Sequence, residues 1–238
     1  MDGPRTVIVA GPPASGKTSV MIHAIRNLAR QGVKTAVTKI DCLATEDDRR
    51  YADIGVPVVA GLSEDICPDH YFVVNLEEMH QWAAREKAHL LIVETAGLCH
   101  RCAPGVNKAL AVCVIDGHSS IKIPEKIGPV LTTADIVVIT KGDSVSQAER
   151  EVFRSRIRRI NPQAEIAEVN GITGAGAEHL SRLIVRSEGM IGSCQLSGAR
   201  LRHPMPTAIC SYCMGEMRVG SAFQQGVVYK MDFPGAES

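Results

Sequence analysis

Gly11-Pro12-Pro13-Ala14-Ser15-Gly16-Lys17-Thr18 follows an apolar run, Thr6 to Ala10, and precedes a stretch where Val20, Met21, Ala24, Ile25 and Leu28 recur at helical spacing. The octapeptide fits G-x-x-x-x-G-K-[ST], and its placement between a strand and a helix is the context that motif requires. Glycine at both ends lets backbone N–H groups turn inward around an anion, and the helix N-terminus adds the positive end of its dipole. Lys17 then reaches the β- and γ-phosphates of a nucleotide, and the Thr18 hydroxyl can ligate Mg²⁺. Gly11, Pro12, Pro13, Ala14, Ser15, Gly16, Lys17, Thr18 and the adjoining Ser19 are the expected phosphate contacts.

Outward from this loop, short apolar runs alternate with amphipathic stretches over roughly the first 190 residues, as a parallel α/β sheet requires. Strands are expected at Thr6 to Ala10, Thr35 to Ile40, Leu90 to Val93, Ala109 to Ile115, Asp135 to Thr140 and Glu165 to Val169. Helices follow the loop and are expected again near 76–87, 145–160 and 175–187. The fold class is therefore α/β: a three-layer P-loop nucleotide-binding domain with a mostly parallel sheet, spanning 1–190. Past Gly192 the pattern breaks into Ser, Gly, Arg and Pro, then a Cys-rich stretch and short alternating runs such as Val227-Val228-Tyr229. Residues 191–238 read as a small Cys-containing appendage with some β character, used for metal binding or partner docking, its last residues disordered.

Composition removes several function classes. The 238 residues carry 26 basic and 26 acidic side chains, so no basic excess points to nucleic acid. No apolar run is long enough to span a bilayer, and no export signal is visible, so a cytoplasmic protein is expected. Eight cysteines are many for a reducing compartment and raise metal binding or redox chemistry. Cys42 and Cys113 read as buried packing residues.

Two carboxylates extend the phosphate site. Asp41 ends the second strand, and Glu94 opens Glu94-Thr95-Ala96-Gly97 after the Leu90 strand. Ligands of open α/β sheets sit at the carboxyl ends of strands, so both can face magnesium and its waters. Gly97 lets its backbone approach the γ-phosphate and move after hydrolysis. Asp47, or a backbone group near Gly97, is a candidate for positioning the attacking water. Lys17, Asp41, Asp47 and Glu94 thus form the candidate catalytic set. Thr140-Lys141-Gly142-Asp143 has the form Asn/Thr-Lys-x-Asp: the Asp143 carboxylate can accept from both N1–H and N2–H₂ of guanine, while Lys141 lies along the purine. GTP is favoured over ATP.

Taken together, Val7 to Thr18, Thr38-Lys39-Ile40-Asp41 through Gly55-Val56-Pro57-Val58-Val59, the Glu94-x-x-Gly97 turn and Thr140 to Asp143 resemble the nickel-inserting GTPases of hydrogenase and urease maturation. Ala44-Thr45-Glu46-Asp47, Asn161-Pro162, Val169-Asn170 and Thr173-Gly174-Ala175-Gly176 continue the likeness over about residues 5–187. The resemblance places the chain in the SIMIBI class. It implies a GTP-dependent homodimer, slow intrinsic GTP hydrolysis, and metal transfer to a target apo-metalloenzyme. The chain departs from that pattern. It has no His-rich N-terminal tail; it carries Cys67-Pro68-Asp69-His70 where the urease type has Cys-Pro-His, and Cys99-His100-Arg101-Cys102 where the hydrogenase type has one cysteine.

Cys67, His70, Cys99 and Cys102 are candidate ligands for Ni²⁺ or Zn²⁺, placed on the two segments that respond to the γ-phosphate. An iron–sulfur or corrinoid partner for Cys99 and Cys102 stays open. Cys194, His203, Cys210 and Cys213 are the right types for a structural Zn²⁺ site. Two other readings stay open: a P-loop small-molecule kinase with Arg154 to Arg159 as a lid, and a GTP-dependent docking switch with no transferable metal.

Overall fold

The computed structural model describes residues 3–96, 103–187, 196–203, 218–224 and 226–235. Seven parallel strands form one sheet in the order β3-β2-β4-β1-β5-β6-β7. They are β1 (Arg5–Ala10), β2 (Thr35–Asp41), β3 (Val58–Leu62), β4 (Leu90–Glu94), β5 (Leu110–Asp116), β6 (Ile136–Thr140) and β7 (Glu165–Val169). The helices are α1 (Lys17–Arg30), α2 (Asp47–Ala52), α3 (Pro68–Arg85), α4 (Pro129–Thr132), α5 (Gln147–Ile160) and α6 (Ala177–Arg186). Odd and even residues of β1 serve opposite faces. Val7 and Val9 pack with α1, α2 and α6, through Val20, Met21, Tyr51, Leu180 and Ile184. Ile8 packs with Phe72, Leu76 and Trp82 of α3, and Ala10 with Phe153 and Ile157 of α5. Central strands buried on both faces read as unbroken apolar runs, which is why the expected strands match to within a residue or two.

Local chemistry sets the helix starts. Gly16 caps α1 at φ 90, with no acidic residue in the first turn, so the positive end of the dipole faces the loop uncancelled. Ser146 and Glu149 form a capping box at α5. Helix α3 begins at Pro68, eight residues before the expected start, with Pro at the first helical turn and Asp69 in it. Its first half is buried nearly all round, Tyr71 through Leu76 included, so no single apolar stripe marks it. The second covering surface comes from the C-terminal segment.

That segment lies against the domain. Leu196, Ala199, Leu201, Val219 and Met231 join the α3-side core. Asn75 donates to the Tyr229 carbonyl at 2.9 Å and accepts from the Met231 N–H at 2.8 Å, and Gln224 donates to the Val74 carbonyl at 2.9 Å. Met231 sits over Gly61 of β3, where a Cβ would come within 2.8 Å of its side chain, and Phe233 packs on Trp82 at 5.9 Å between ring centres. Arg202 fastens the amino ends of β5 and β6 through Asp135 (2.8 Å) and the carbonyls of Thr133, Ala109 and Val106. Among the described residues, the β character expected here is limited to two isolated antiparallel bridges, Val106 with Leu201 and Arg200 with Arg218, and Val227 to Tyr229 are in no strand. No helix among the described residues is long and apolar enough to cross a membrane.

Candidate functional site

The phosphate loop is held in its cradle shape by its backbone and by β6. Gly11 (φ 150), Ala14 (φ 57) and Gly16 (φ 90) all take positive φ. A Cβ at Gly11 would stand 2.0 Å from the Val114 carbonyl oxygen of β5, so no side chain fits there. Thr140 Oγ1 donates to the Ser15 carbonyl at 2.7 Å, and Lys141 Nζ donates to the Ala14 carbonyl at 3.0 Å and to Asp116 Oδ2 at 2.7 Å. The base-side motif therefore braces the phosphate loop directly. Lys17 Nζ is buried and donates to the carbonyls of Gly11 and Pro12, each at 3.1 Å. Burial lowers its pKa, the nearby Glu94 carboxylate opposing that. The Ser15 hydroxyl is buried without a hydrogen-bond partner. A buried ammonium hydrogen-bonded to two neutral carbonyls, beside an orphaned hydroxyl and a glycine that cannot carry a side chain, fits an anionic ligand.

Beside it, three strand ends and α2 assemble a charged cluster. In the parallel register Lys39 of β2 is opposite Glu94 of β4, which is opposite Val9 of β1. Thr18 Oγ1 lies 2.7 Å from Glu94 Oε1 and 2.9 Å from Asp47 Oδ2, so its one proton serves either carboxylate. Lys39 Nζ stands 3.1 Å from Glu94, 3.2 Å from Asp41 and 3.6 Å from Asp47. Burial acts to lower the Lys39 pKa, but Glu94 and Asp41 outweigh it and hold it above its ordinary value. Tyr51 donates to Glu94 Oε2 at 2.5 Å; burial first, then Glu94, keeps that phenol protonated well above its usual range. Arg50 spans Asp47 (2.9 Å) and Ser19 Oγ (2.8 Å). Burial works to raise the Asp47 pKa, yet bonds from Thr18 and Arg50 leave it below normal.

The sequence places Thr18, Asp41, Asp47 and Glu94 here, and the structure brings all four together. Lys39, Tyr51 and Arg50 were missed. A lysine inside a strand buried on both faces is the available signal for Lys39, because such a charge needs a partner. Tyr51 lies on a six-residue helix too short for periodicity to show. Among the described residues, no three His, Cys, Asp or Glu side chains are spaced as ligands of one metal ion; these carboxylates are spaced around an ammonium.

At the far end of the same edge, Asp143 is exposed on a turn, Gly142–Ser144, that follows β6. It lines a cleft of about 290 Å³ with Ile139, Asn170, Ala175 and Gly176. Asn170 Oδ1 accepts from the N–H groups of Ile172 and Thr173, both at 2.9 Å, shaping the loop after β7.

Of the candidate transition-metal residues, Cys67, His70 and His203 are among those described. Cys67 caps α3 and is half-buried. His70 is fully buried, with Nε2 at 2.6 Å from the Val227 carbonyl; that nitrogen carries its proton and fastens the C-terminal segment. Cys42, taken for packing, is half-buried, and Asp41, Cys67 and Asp69 are near enough to join burial in raising its thiol pKa. Cys113 is buried in β5, its thiol pushed up to about 12 by burial. His203 is partly buried at the end of a described stretch. Gly97, Cys99, Cys102, Cys194, Cys210 and Cys213 lie outside the described residues.

Comparison with known proteins agrees with this geometry. Residues 5–168 match the family model described as CobW/HypB/UreG, nucleotide-binding domain. An uncharacterized protein of Methanocaldococcus jannaschii is 51% identical over 228 residues, 96% of each chain, so it shares most of the C-terminal segment too. The urease accessory protein UreG of Edwardsiella ictaluri is 28% identical over 194 residues, 75% of this chain and 91% of that one. Two solved structures share the fold. HypB from Archaeoglobus fulgidus superposes with a TM-score of 0.63 at 23% identity, covering 80% of this chain and 91% of that one. HypB from Helicobacter pylori, in complex with nickel, gives 0.62 at 20% identity, covering 80% and 90%. With its phosphate loop, strand order and family match in agreement, the chain belongs to the CobW/HypB/UreG nucleotide-binding family.

Proposed function

We propose that the protein is a GTP-binding and GTP-hydrolysing maturation factor that couples nucleotide state to delivery of a transition metal, nickel by analogy with its relatives, to a target metalloenzyme. The observation that carries this reading is the joining of base motif and phosphate loop: Thr140 and Lys141 hydrogen-bond the carbonyls of Ser15 and Ala14. Asp143 is the group to read guanine, through the paired N1–H and N2–H₂ donors. Lys17 and the loop N–H groups hold the β- and γ-phosphates. Thr18, Asp41 and Glu94 supply an all-oxygen donor set, the chemistry a magnesium ion takes. Magnesium there would neutralise charge developing on the phosphates. Asp47, which accepts from Thr18, is the proposed group to orient a water at the γ-phosphate.

Nucleotide exchange has a mechanical route to α2. Asp47, Arg50 and Tyr51 tie this helix to Thr18, Ser19 and Glu94, so any change at Thr18 or Glu94 moves the segment leading to Cys67. Cys67, Cys99 and Cys102 are the proposed metal-handling thiols, and a homodimer supplies further ligands. The described neighbours of the two Cys-x-x-Cys pairs are joined: the Arg202 N–H donates to the Gly105 carbonyl at 2.8 Å. Cys194, His203, Cys210 and Cys213 are proposed as a structural or relay zinc site.

The test is a titration of Ni²⁺ and Zn²⁺ into protein loaded with GDP or a non-hydrolysable GTP analogue, following affinity and dimerisation. The control carries Cys67→Ala, Cys99→Ala and Cys102→Ala. Metal affinity that changes with the nucleotide and is lost in the control supports delivery. Affinity indifferent to both contradicts it and leaves a GTP-dependent docking switch.

A further inference from the structure

The charged cluster holds one group that phosphate binding does not call for. Lys39 needs no loop position to reach the site. It arrives because β2 and β4 pair in parallel with Lys39 opposite Glu94 and Val37 opposite Ile92, and because β2 alternates, so Lys39 and Asp41 share a face. Lys39 is 3% exposed, and its ammonium lies within 3.6 Å of three carboxylates, those of Asp41, Asp47 and Glu94. The other charged groups near it are Lys17, close enough for the two ammoniums to act on each other, and Arg50, which bonds Asp47 Oδ1.

Three carboxylates and the Thr18 hydroxyl are the donor types a hard divalent cation takes, but as they stand they are spaced around an ammonium and not as ligands of one metal ion. With Lys39 among them the patch holds a cation already, and its oxygens are spaced for N–H donors. A divalent ion entering alone must break those bonds and sit beside an ammonium in a poorly solvated place. A nucleotide changes the balance, because its phosphates bring several negative charges to Lys17 and Thr18 from the loop side. We infer that Lys39 is a built-in counter-cation that excludes a free divalent ion from the Asp41–Asp47–Glu94 cluster, so that metal enters only together with a nucleotide. Lys39 is a positioning residue here: it holds Glu94 and Asp41 apart from a bare ion and leaves the phosphates to Lys17. The inference rests on the nucleotide site proposed above.

The experiment reads bound Mn²⁺ by electron paramagnetic resonance, in nucleotide-free protein and in its GDP complex, with GDP binding measured separately by calorimetry. Wild-type protein is expected to bind Mn²⁺ at least about tenfold more weakly without GDP than with it. Lys39→Met, with a side chain of similar length and no charge, is expected to tighten nucleotide-free Mn²⁺ binding by about tenfold or more, while Lys39→Arg keeps the wild-type dependence. Circular dichroism checks that the variants fold. Should Lys39→Met not fold, the wild-type comparison still decides: equal Mn²⁺ affinity with and without GDP overturns the inference. So does a folded Lys39→Met that binds Mn²⁺ no better than wild type. Failure of GDP to bind at all overturns the nucleotide-site reading itself, and the inference falls with it.

Discussion

The two ends of the ligand-facing sheet edge are built differently. On the β1–β2–β4 side, Lys39, Asp41, Asp47, Glu94, Thr18 and Tyr51 form one bonded cluster, with Glu94 and Lys39 both almost wholly buried. On the β6–β7 side, Thr140 and Lys141 are tied to the phosphate loop, but Asp143 points into an open cleft and is exposed. The first end is preorganised by its own charges, which costs desolvation and repays it in fixed geometry. The second leaves Asp143, the group proposed to read guanine, exposed. The contrast suits a site in which phosphate and metal geometry must be held in advance, while base choice is made on contact.

The largest expected effect is at the buried end. Lys17→Ala removes the buried ammonium bonded to the loop carbonyls of Gly11 and Pro12, and loss of a buried charge partner costs roughly 2–5 kcal/mol, about thirtyfold or more in nucleotide Kd. Calorimetric titration of GDP checks it; an unchanged Kd would mean the phosphates bind elsewhere. Tyr51→Phe is a smaller cut. It deletes only the hydroxyl that donates to Glu94, so a loss of about 1–2 kcal/mol is expected. Hydrogen exchange should then rise in α2 but not in α5. Equal exchange in both would show that α2 is not latched through Glu94.

The smallest effect is pH-dependent. Bonds from Thr18 and Arg50 outweigh burial and keep the Asp47 pKa below the ordinary Asp value. A native pKa below the unfolded one means the unfolded chain binds the extra proton, so stability rises with pH across that interval. The contribution is therefore complete above about pH 4 and is lost as pH falls through the depressed native value. Urea unfolding at pH 5 and pH 3, in wild type and in Asp47→Asn, measures it. The variant should lose less stability over that interval than wild type; an identical loss would remove Asp47 from the latch.

What could be read in the sequence follows the same division. The phosphate loop, Thr140-Lys141-Gly142-Asp143 and the strand-end acids are contiguous or sit at strand termini, so short motifs and apolar runs expose them. Lys39 reaches Glu94 only through the register of two strands separated by 55 positions. Helix α2 has too few turns to show a period. His70 read as a ligand from its spacing to Cys67, whereas its partner, the Val227 carbonyl, is 157 residues away. The start of α3 was hidden because the C-terminal segment buries its second face. Elements stabilised by local pattern were legible; those stabilised by distant chain were not.

The most direct test of the central claim is competition between GTP and ATP for the site in the presence of magnesium. Fluorescent GDP is displaced from wild-type protein and from Asp143→Ala. The account predicts that GTP displaces the probe much better than ATP, and that Asp143→Ala narrows the gap by about 1–3 kcal/mol, the worth of a bidentate contact to a guanine edge. Equal displacement by ATP and GTP, unchanged by Asp143→Ala, would contradict it.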